Sequence, residues 1–177
     1  MEGSNIVNIR KGRVTLRGVE LADVDVMYGV ENDLASWESS GTTQPFSHYL
    51  IESFIESQRG DIYSTRQLRL MICDEVGAVV GILDLFEFDP HNHRAGVGIF
   101  ILAGSRGRGY GAEALACVGE YGRSRLQLHQ LWCGVASDNE ASLRLFASAG
   151  YEVSGVRREW LWRESGYCDE VMLQVLL

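Results

Sequence analysis

Length, composition and charge limit the classes of protein to which this chain can belong. It has 177 residues, 46% of them hydrophobic and 10% aromatic, enough for one domain with a sizeable core. Its 16 basic and 24 acidic residues give a net charge of −8, which disfavours nucleic acid and anionic lipid as partners and favours small cations. No apolar run approaches the roughly 20 residues of a membrane span, and no signal-peptide segment is evident, so we expect a cytoplasmic protein.

The spacing of apolar residues predicts eleven elements in the order β-α-α-β-β-β-α-β-α-β-β. In chain order they are a strand (14–19), two helices (20–32 and 49–60), a hairpin (68–75 and 79–88), a strand (95–102), a helix (112–125), a strand (130–136), a helix (about 140–149) and two final strands (152–164 and 167–177). A small polar segment over 36–43 predicts a loop. The order predicts one domain over residues 1–177, of the α+β or mixed α/β class, with a largely antiparallel sheet of about seven strands and about four helices.

The residues around the last predicted helix give its ends. Ser137 and Glu140 fit a capping box at its start, and Gly150 fits a C-terminal cap. This helix therefore carries the strongest local signals in the chain.

Cysteine and histidine spacing gives no metal site. Cys73, Cys117, Cys133 and Cys168 contain no CxxC pair, and we expect reduced, mostly buried thiols. His91 and His93 follow Pro90 in a predicted turn, and two histidines without a third nearby ligand do not form a site. We predict no bound metal.

A glycine-rich segment stands between a predicted strand and a predicted helix. Arg106 to Gly111 spells R-G-R-G-Y-G, and bare backbone at a helix start offers unpaired N–H groups and a positive dipole to an anion. The GKS or GKT of a P-loop is absent, and Ala112 stands where a dinucleotide fingerprint needs its third glycine. The segment therefore predicts a phosphate cradle of another kind.

Two motifs in this order resemble the GNAT acetyltransferase superfamily. Arg106–Gly111 matches its Q/R-x-x-G-x-G/A pyrophosphate loop, and Asn139–Tyr151 matches its N-x-x-[AS]-x-x-L-[YF]-x-x-x-G-[FY] signature. The opening segment VTLRGVELADVD and the turn at Ser165–Asp169 are similar to the subgroup of bacterial diamine or spermidine N-acetyltransferases and ribosomal-protein N-terminal acetyltransferases. The resemblance covers nearly the whole chain and implies a GNAT-like twisted sheet.

The resemblance implies acetyl-CoA as the acetyl donor and gives it a binding site. The pantetheine arm would pair with the strand before the loop, and N–H groups of the loop would hold the pyrophosphate. Asn139 would contact the cofactor or cap its helix, and either loop arginine could point to solvent instead. The implied cofactor-binding residues are Ile99, Phe100, Ile101, Leu102, Arg106, Gly107, Arg108, Gly109, Tyr110, Gly111, Ala112, Asn139 and Phe146.

Amine acetylation also needs proton transfer, and the catalytic positions to consider for it are Asp84 and Phe146. Asp84 lies among apolar residues of a predicted strand, where desolvation would raise its pKa toward that of a base, and the spermidine subgroup places an acidic residue at this position. Glu87 would face the other side by alternation. Many family members have tyrosine at Phe146 to protonate the leaving thiolate, so a hydroxyl such as Ser142, or water, would have to replace it.

The acceptor implied by the resemblance is a small cationic amine, with a polyamine or diamine as the first expectation. Glu31, Asp33, Glu38 and Glu52 surround the first loop, and Trp37, Phe46, Trp160 and Trp162 could line an acceptor pocket or pack in the core. A protein N-terminal amine is an alternative acceptor, and a non-catalytic acyl-CoA-binding module is an alternative function. The subgroup often forms dimers or larger rings, so a homo-oligomer is also possible.

Overall fold

A computed structural model describes residues 9–34, 37, 41–58 and 60–177 of the chain. The strands within them are β1 Ile9–Lys11, β2 Val14–Gly18, β3 Leu68–Cys73, β4 Val79–Asp89, β5 Arg94–Ile101, β6 Gln130–Ala136, β7 Glu152–Arg163 and β8 Gly166–Leu176. The helices within them are α1 Val24–Glu31, α2 His48–Ser57, α3 Ile62–Thr65, α4 Tyr110–Arg125 and α5 Glu140–Ser148. Half of the loop predicted over 36–43, residues 36 and 38–40, lies outside the described residues.

The eight strands form one sheet in the order β1-β2-β3-β4-β5-β6-β8-β7. Neighbouring strands are antiparallel except β5 and β6, which are parallel. The predicted α+β class and largely antiparallel sheet are confirmed. Strand β1 and helix α3 were not predicted, because segments of three and four residues are too short to show periodicity.

Two layers of apolar side chains pack against the sheet. The larger core contains Val97, Leu115 and Phe146 and joins α4 and α5 to the sheet. The smaller core contains Met27, Ile51 and Ile82 and joins α1 and α2 to the sheet. Helices on both sides therefore leave the middle of the sheet accessible only where its strands separate.

The sheet opens between β5 and β6. These strands pair only where Arg94 to Gly96 meet Gln130 to Trp132, and after Gly96 β5 continues with β4 alone. The Phe86 ring packs against Gly96 of β5. A Cβ on Gly96 would lie 2.3 Å from Phe86 Cε2, so no larger residue fits at this position. The separation creates a gap in the sheet just before the glycine-rich segment.

The start of α5 corrects the predicted capping box. The cap is Asn139, whose Oδ1 accepts from the Ser142 N–H at 3.1 Å, so the assignment of Ser137 as the cap was wrong. The Ser137 N–H instead donates to Asp169 O at 2.9 Å, and this bond connects Ser137 to β8. At the other end, Gly150 has φ +86° just after the helix, as its predicted capping role requires.

Candidate active site

A cleft of about 670 Å³ occupies the gap between β5 and β6. One part of its wall comes from α1, α2 and β4, and another from β5, β6 and the start of α5. Asp84, Ile99, Phe100, Asn139, Ser142 and Phe146 all line it. The cleft therefore brings together the candidate base, part of the predicted cofactor strand and the second motif.

Alternate backbone groups of β5 face the gap. The Leu102 N–H donates to Val80 O at 2.9 Å. Because backbone groups alternate in direction along a strand, the Phe100 N–H also points toward β4, and the N–H and C=O groups of Ile99 and Ile101 point toward the gap. In agreement, Arg106 Nε donates to Ile101 O at 3.0 Å. The N–H groups of Ile99 and Ile101 thus face the gap and donate to no other described residue, whereas the Leu102 N–H is already used.

The glycine-rich segment forms an open turn at the start of α4. Gly107 and Gly109 have φ +72° and +86°, a conformation that favours glycine. Within the described part of the chain, no hydrogen bond uses the N–H groups from Gly107 to Ala112. Six consecutive donors at a helix start can therefore bind an anionic group.

The two loop arginines fold back onto the protein. The Arg106 guanidinium lies 5.5 Å from the centre of the Phe100 ring, in addition to its bond to Ile101 O. The Arg108 guanidinium lies 5.1 Å from the ring centre of Tyr110, which is buried. Both cations lie beside the turn and add positive charge to it.

Arg13, which the sequence analysis did not identify, anchors the turn from the β1–β2 connection. Its Nη2 donates to Arg108 O at 2.7 Å, and its Nε and Nη2 donate to Glu113 Oε1. These bonds from Arg13 hold the pKa of Glu113 below its usual value. The contacts join residues about 100 positions apart, and no local pattern in the sequence could have indicated them.

Helix α5 presents Ser142 and Phe146 to the cleft, one turn apart. Phe146 is buried and packs edge-on against Tyr151, with ring centres 5.0 Å apart. Burial raises the pKa of Tyr151, whose hydroxyl has no hydrogen-bond partner among the described residues. Ser142 is therefore the hydroxyl on this helix that reaches the cleft.

Asp84 is ion-paired, which differs from the apolar surroundings expected for it. Arg69, its cross-strand partner on β3, donates from Nε to Oδ1 at 2.8 Å and from Nη2 to Oδ2 at 2.9 Å. Arg69 Nη1 also donates to Glu31 Oε1 at 2.5 Å. Although burial disfavours the charged guanidinium, bonds to Asp84 and then to Glu31 raise the pKa of Arg69. Glu87, on the same strand, is exposed outside the cleft.

The other acceptor candidates separate into two groups. Glu31 and Phe46 line the cleft, whereas Asp33 and Glu52 do not. Glu38 lies outside the described residues. The Trp37 indole N–H donates to Glu31 O at 2.8 Å, so Trp37 supports α1 and is not among the lining residues.

The remaining two tryptophans lie on the edge of the sheet. Trp160 and Trp162 on β7 are 58% and 67% exposed and do not line the cleft, so neither the pocket role nor the core role expected for them holds. Leu161, between them, does line it. The homo-oligomer stays a prediction, and β7 is an edge strand available for it.

Cys133 is the cysteine that lines the cleft. Burial, and then the charge of Glu170, raise the pKa of its thiol to about 12. The thiol is therefore neutral at physiological pH and unsuited to be a nucleophile. Cys73 and Cys117 are also buried, as expected, and Cys168 is partly exposed.

The described residues can be compared with the requirements of a metal site and of a membrane-spanning helix. No three His, Cys, Asp or Glu side chains there are grouped closely enough to hold a metal ion. No helix in the same part of the chain has both the length and the apolar character to cross a bilayer.

Residues 13–152 match the family model described as an acetyltransferase (GNAT) domain. The chain is 26% identical over 172 residues to an uncharacterized N-acetyltransferase of Bacillus licheniformis, with 93% of each protein covered. It is 20% identical over 167 residues to the spermidine N(1)-acetyltransferase of Vibrio cholerae, again with 93% of each covered.

A solved structure shares the fold. The crystal structure of spermidine N-acetyltransferase from Vibrio cholerae, in complex with CoA and spermine, superposes with a TM-score of 0.85 and 20% identity. The match covers 94% of this chain and 96% of that one. At this identity the likeness shows that the two chains share a fold.

Proposed function

Because the chain belongs to the GNAT family of acetyltransferases, we propose that it transfers the acetyl group of acetyl-CoA to the primary amine of a small molecule. The observation that carries the proposal is the gap between β5 and β6. The open turn that can bind an anion follows β5, and the cleft in the gap contains the carboxylates of Glu31 and Asp84, both ion-paired with Arg69. Donor and acceptor can thus approach from different sides of the sheet.

The donor is held by backbone. The free N–H groups from Gly107 to Ala112 bind the pyrophosphate, aided by the positive end of α4. Ile99 and Ile101 offer backbone groups to the pantetheine amides, and Phe100 and Asn139 lie beside this path. The N–H group of Ile99 or Ile101, which faces the gap, stabilises the negative charge that develops on the thioester carbonyl oxygen when the amine attacks.

Asp84 acts on the acceptor amine. An alkylamine with a pKa near 10.4 needs about 4–5 kcal/mol to lose its proton at pH 7, so a nearby carboxylate lowers the barrier by attracting the ammonium and accepting the proton, directly or through water. Arg69 orients the carboxylate through two hydrogen bonds. The neutral amine then attacks the thioester carbonyl.

The departing thiolate receives its proton without a tyrosine. Phe146 cannot donate, and Ser142, one turn earlier on α5, is the hydroxyl placed to do so. A thiol pKa near 8.5 makes this proton less important than it would be for an alkoxide. Phe146 also supports a second candidate function, a module that binds acyl-CoA without transferring the group.

The relatives support a polyamine or diamine as the acceptor. Two are named as spermidine N(1)-acetyltransferases, from Vibrio cholerae and Escherichia coli, and the acidic charge of this chain suits a cationic substrate. A protein N-terminal amine is the alternative acceptor.

The test measures donor binding and thiol release separately. Calorimetry gives the Kd of acetyl-CoA, and a thiol-release assay follows turnover with a panel of polyamines, monoamines and short peptides. Amine-dependent release supports an enzyme, whereas tight binding without release from any acceptor supports the binding module.

Asp84→Asn tests the base. We expect kcat/KM for the amine to fall at least 100-fold below pH 8, because proton transfer of this kind contributes about 100-fold or more. Glu87→Gln, on the same strand but outside the cleft, is the matched control and keeps full activity. Unchanged activity of Asp84→Asn across pH removes Asp84 from the mechanism.

A further inference from the structure

The charges in the cleft are few and mostly paired. Among the described residues that line it, four side chains are charged: Glu31, Arg69, Asp84 and Glu170. Glu170 Oε2 accepts from Arg157 Nη1 at 2.9 Å, which neutralises it. The two other carboxylates share the one guanidinium of Arg69. The described lining of the cleft therefore carries a net charge of −1, the complement of one ammonium group.

The wall around this charge is apolar. We define the acceptor half as the part of the cleft between α1, α2 and β4, whose apolar lining includes Met27, Val30, Phe46, Leu50, Phe54 and Phe86. Such a surface gains free energy by covering a hydrocarbon body. A second ammonium group on the same substrate would lie against these side chains without a counter-charge, which is unfavourable.

From this charge count and this lining we infer that the acceptor is a primary monoamine with an apolar body. The inference rests on the proposed acetyl transfer to a small primary amine, and within that class it favours a monoamine over the polyamine or diamine that the names of the relatives suggest. The single ammonium binds beside Glu31 and Asp84 and gives up a proton to Asp84, and the resulting neutral amine attacks the thioester carbonyl carbon to form a tetrahedral oxyanion. When the oxyanion collapses, the C–S bond breaks and the nitrogen loses its second proton. The thiolate leaves with the electron pair of that bond and takes up a proton. The products are an N-substituted acetamide and CoA.

A matched pair of substrates tests the inference. Hexylamine and 1,6-diaminohexane have the same carbon chain and differ by one amino group, so the ratio of their kcat/KM values reports the effect of a second charge. We expect hexylamine to exceed the diamine at least tenfold, and spermidine to be poorer still. A diamine or spermidine value equal to or above that of hexylamine overturns the inference, as does a higher value for a tripeptide amide.

A gain-of-charge variant tests the physical cause. Leu50 lines the acceptor half and is 45% exposed, so Leu50→Asp adds one further negative charge at a position that can remain hydrated. We expect it to raise the ratio of diamine to hexylamine kcat/KM at least tenfold. Tyr49→Asp is the control, because Tyr49 is the adjacent residue of α2, 75% exposed and outside the cleft lining.

The outcomes separate this inference from the proposed function. Equal ratios in the Leu50→Asp and Tyr49→Asp variants mean that charge in the cleft does not select the acceptor, and the inference is wrong even if acetyl transfer is real. Acetyl-CoA binding without thiol release from any amine refutes the transfer itself, and the inference with it.

Discussion

Replacing Gly107 by alanine tests whether the turn before α4 needs its left-handed backbone. Gly107 has φ +72°, and a Cβ there would meet nothing within 4 Å, so the change introduces strain without a clash. A non-glycine residue in this region costs roughly 1–2 kcal/mol, whereas alanine restricts the unfolded chain and stabilises by about 0.4–1 kcal/mol. We expect the free energy of unfolding to fall by about 0.5–1 kcal/mol.

Gly104→Ala is the matched control. Gly104 lies in the single turn Ala103–Ser105 of the same connection, has no left-handed φ, and likewise has open space around a Cβ. Its replacement should raise the free energy of unfolding by about 0.4–1 kcal/mol. The difference between the two variants, measured by urea denaturation, isolates the backbone strain at about 1–2 kcal/mol.

The same pair of variants tests donor binding. A methyl group on Gly107 stands among the free N–H groups, so we expect the Kd of acetyl-CoA, measured by calorimetry, to rise about tenfold, or 1.4 kcal/mol, and to stay unchanged in Gly104→Ala. Equal stability changes in the two variants would refute the strain argument. An unchanged Kd in Gly107→Ala would remove the turn from the phosphate site.

Three further predictions concern the residues around the turn and the cleft. Arg13→Ala removes a charged bond to the turn and should weaken acetyl-CoA binding by roughly fivefold, or about 1 kcal/mol, whereas Lys11→Ala, which breaks only a surface ion pair, leaves the Kd unchanged. Phe146→Tyr restores a phenolic donor and should raise turnover at saturating substrate about tenfold or more; no change would retire the missing-acid explanation. Glu113 has a lowered pKa in the folded state, so its contribution to stability is present above pH 4.5, its ordinary pKa, and is lost as pH falls through the lowered value. The urea midpoints of wild type and Glu113→Gln should therefore differ at pH 7 and converge in acid, and a difference that persists in acid contradicts this.

The two motifs were predictable because each is a continuous segment. The turn after β5 and the cap and cleft face of α5 depend on residues within a few positions of one another, where glycine conformation and helix spacing decide the structure. The family and fold that they indicated are confirmed by the family match and the shared architecture. The roles of individual residues in binding and catalysis stay predictions.

The ion-paired state of Asp84 was not predictable from the hairpin. Its partner Arg69 comes from β3, 15 positions away in sequence, and Glu31, the second carboxylate bonded to Arg69, comes from α1, 53 positions from Asp84. A regular hairpin centred on the turn near Gly77 would not place Arg69 opposite Asp84, because a register shift near Cys73 moves the pairing by one residue. One such shift exchanges the two faces of a strand, so local alternation could not identify the contact.

The interruption between β5 and β6 makes the donor a structural component as well as a reactant. Beyond their three paired residues, the strands leave amide and carbonyl groups without a neighbour, and a pantetheine arm with its own amides can lie there like a short inserted strand. A ligand that binds only the folded chain stabilises it by RT ln(1 + [L]/Kd), which grows with the concentration of free ligand relative to its Kd. The thermal stability of this protein should accordingly follow the concentration of free acetyl-CoA, which would couple its lifetime to the supply of activated acetate.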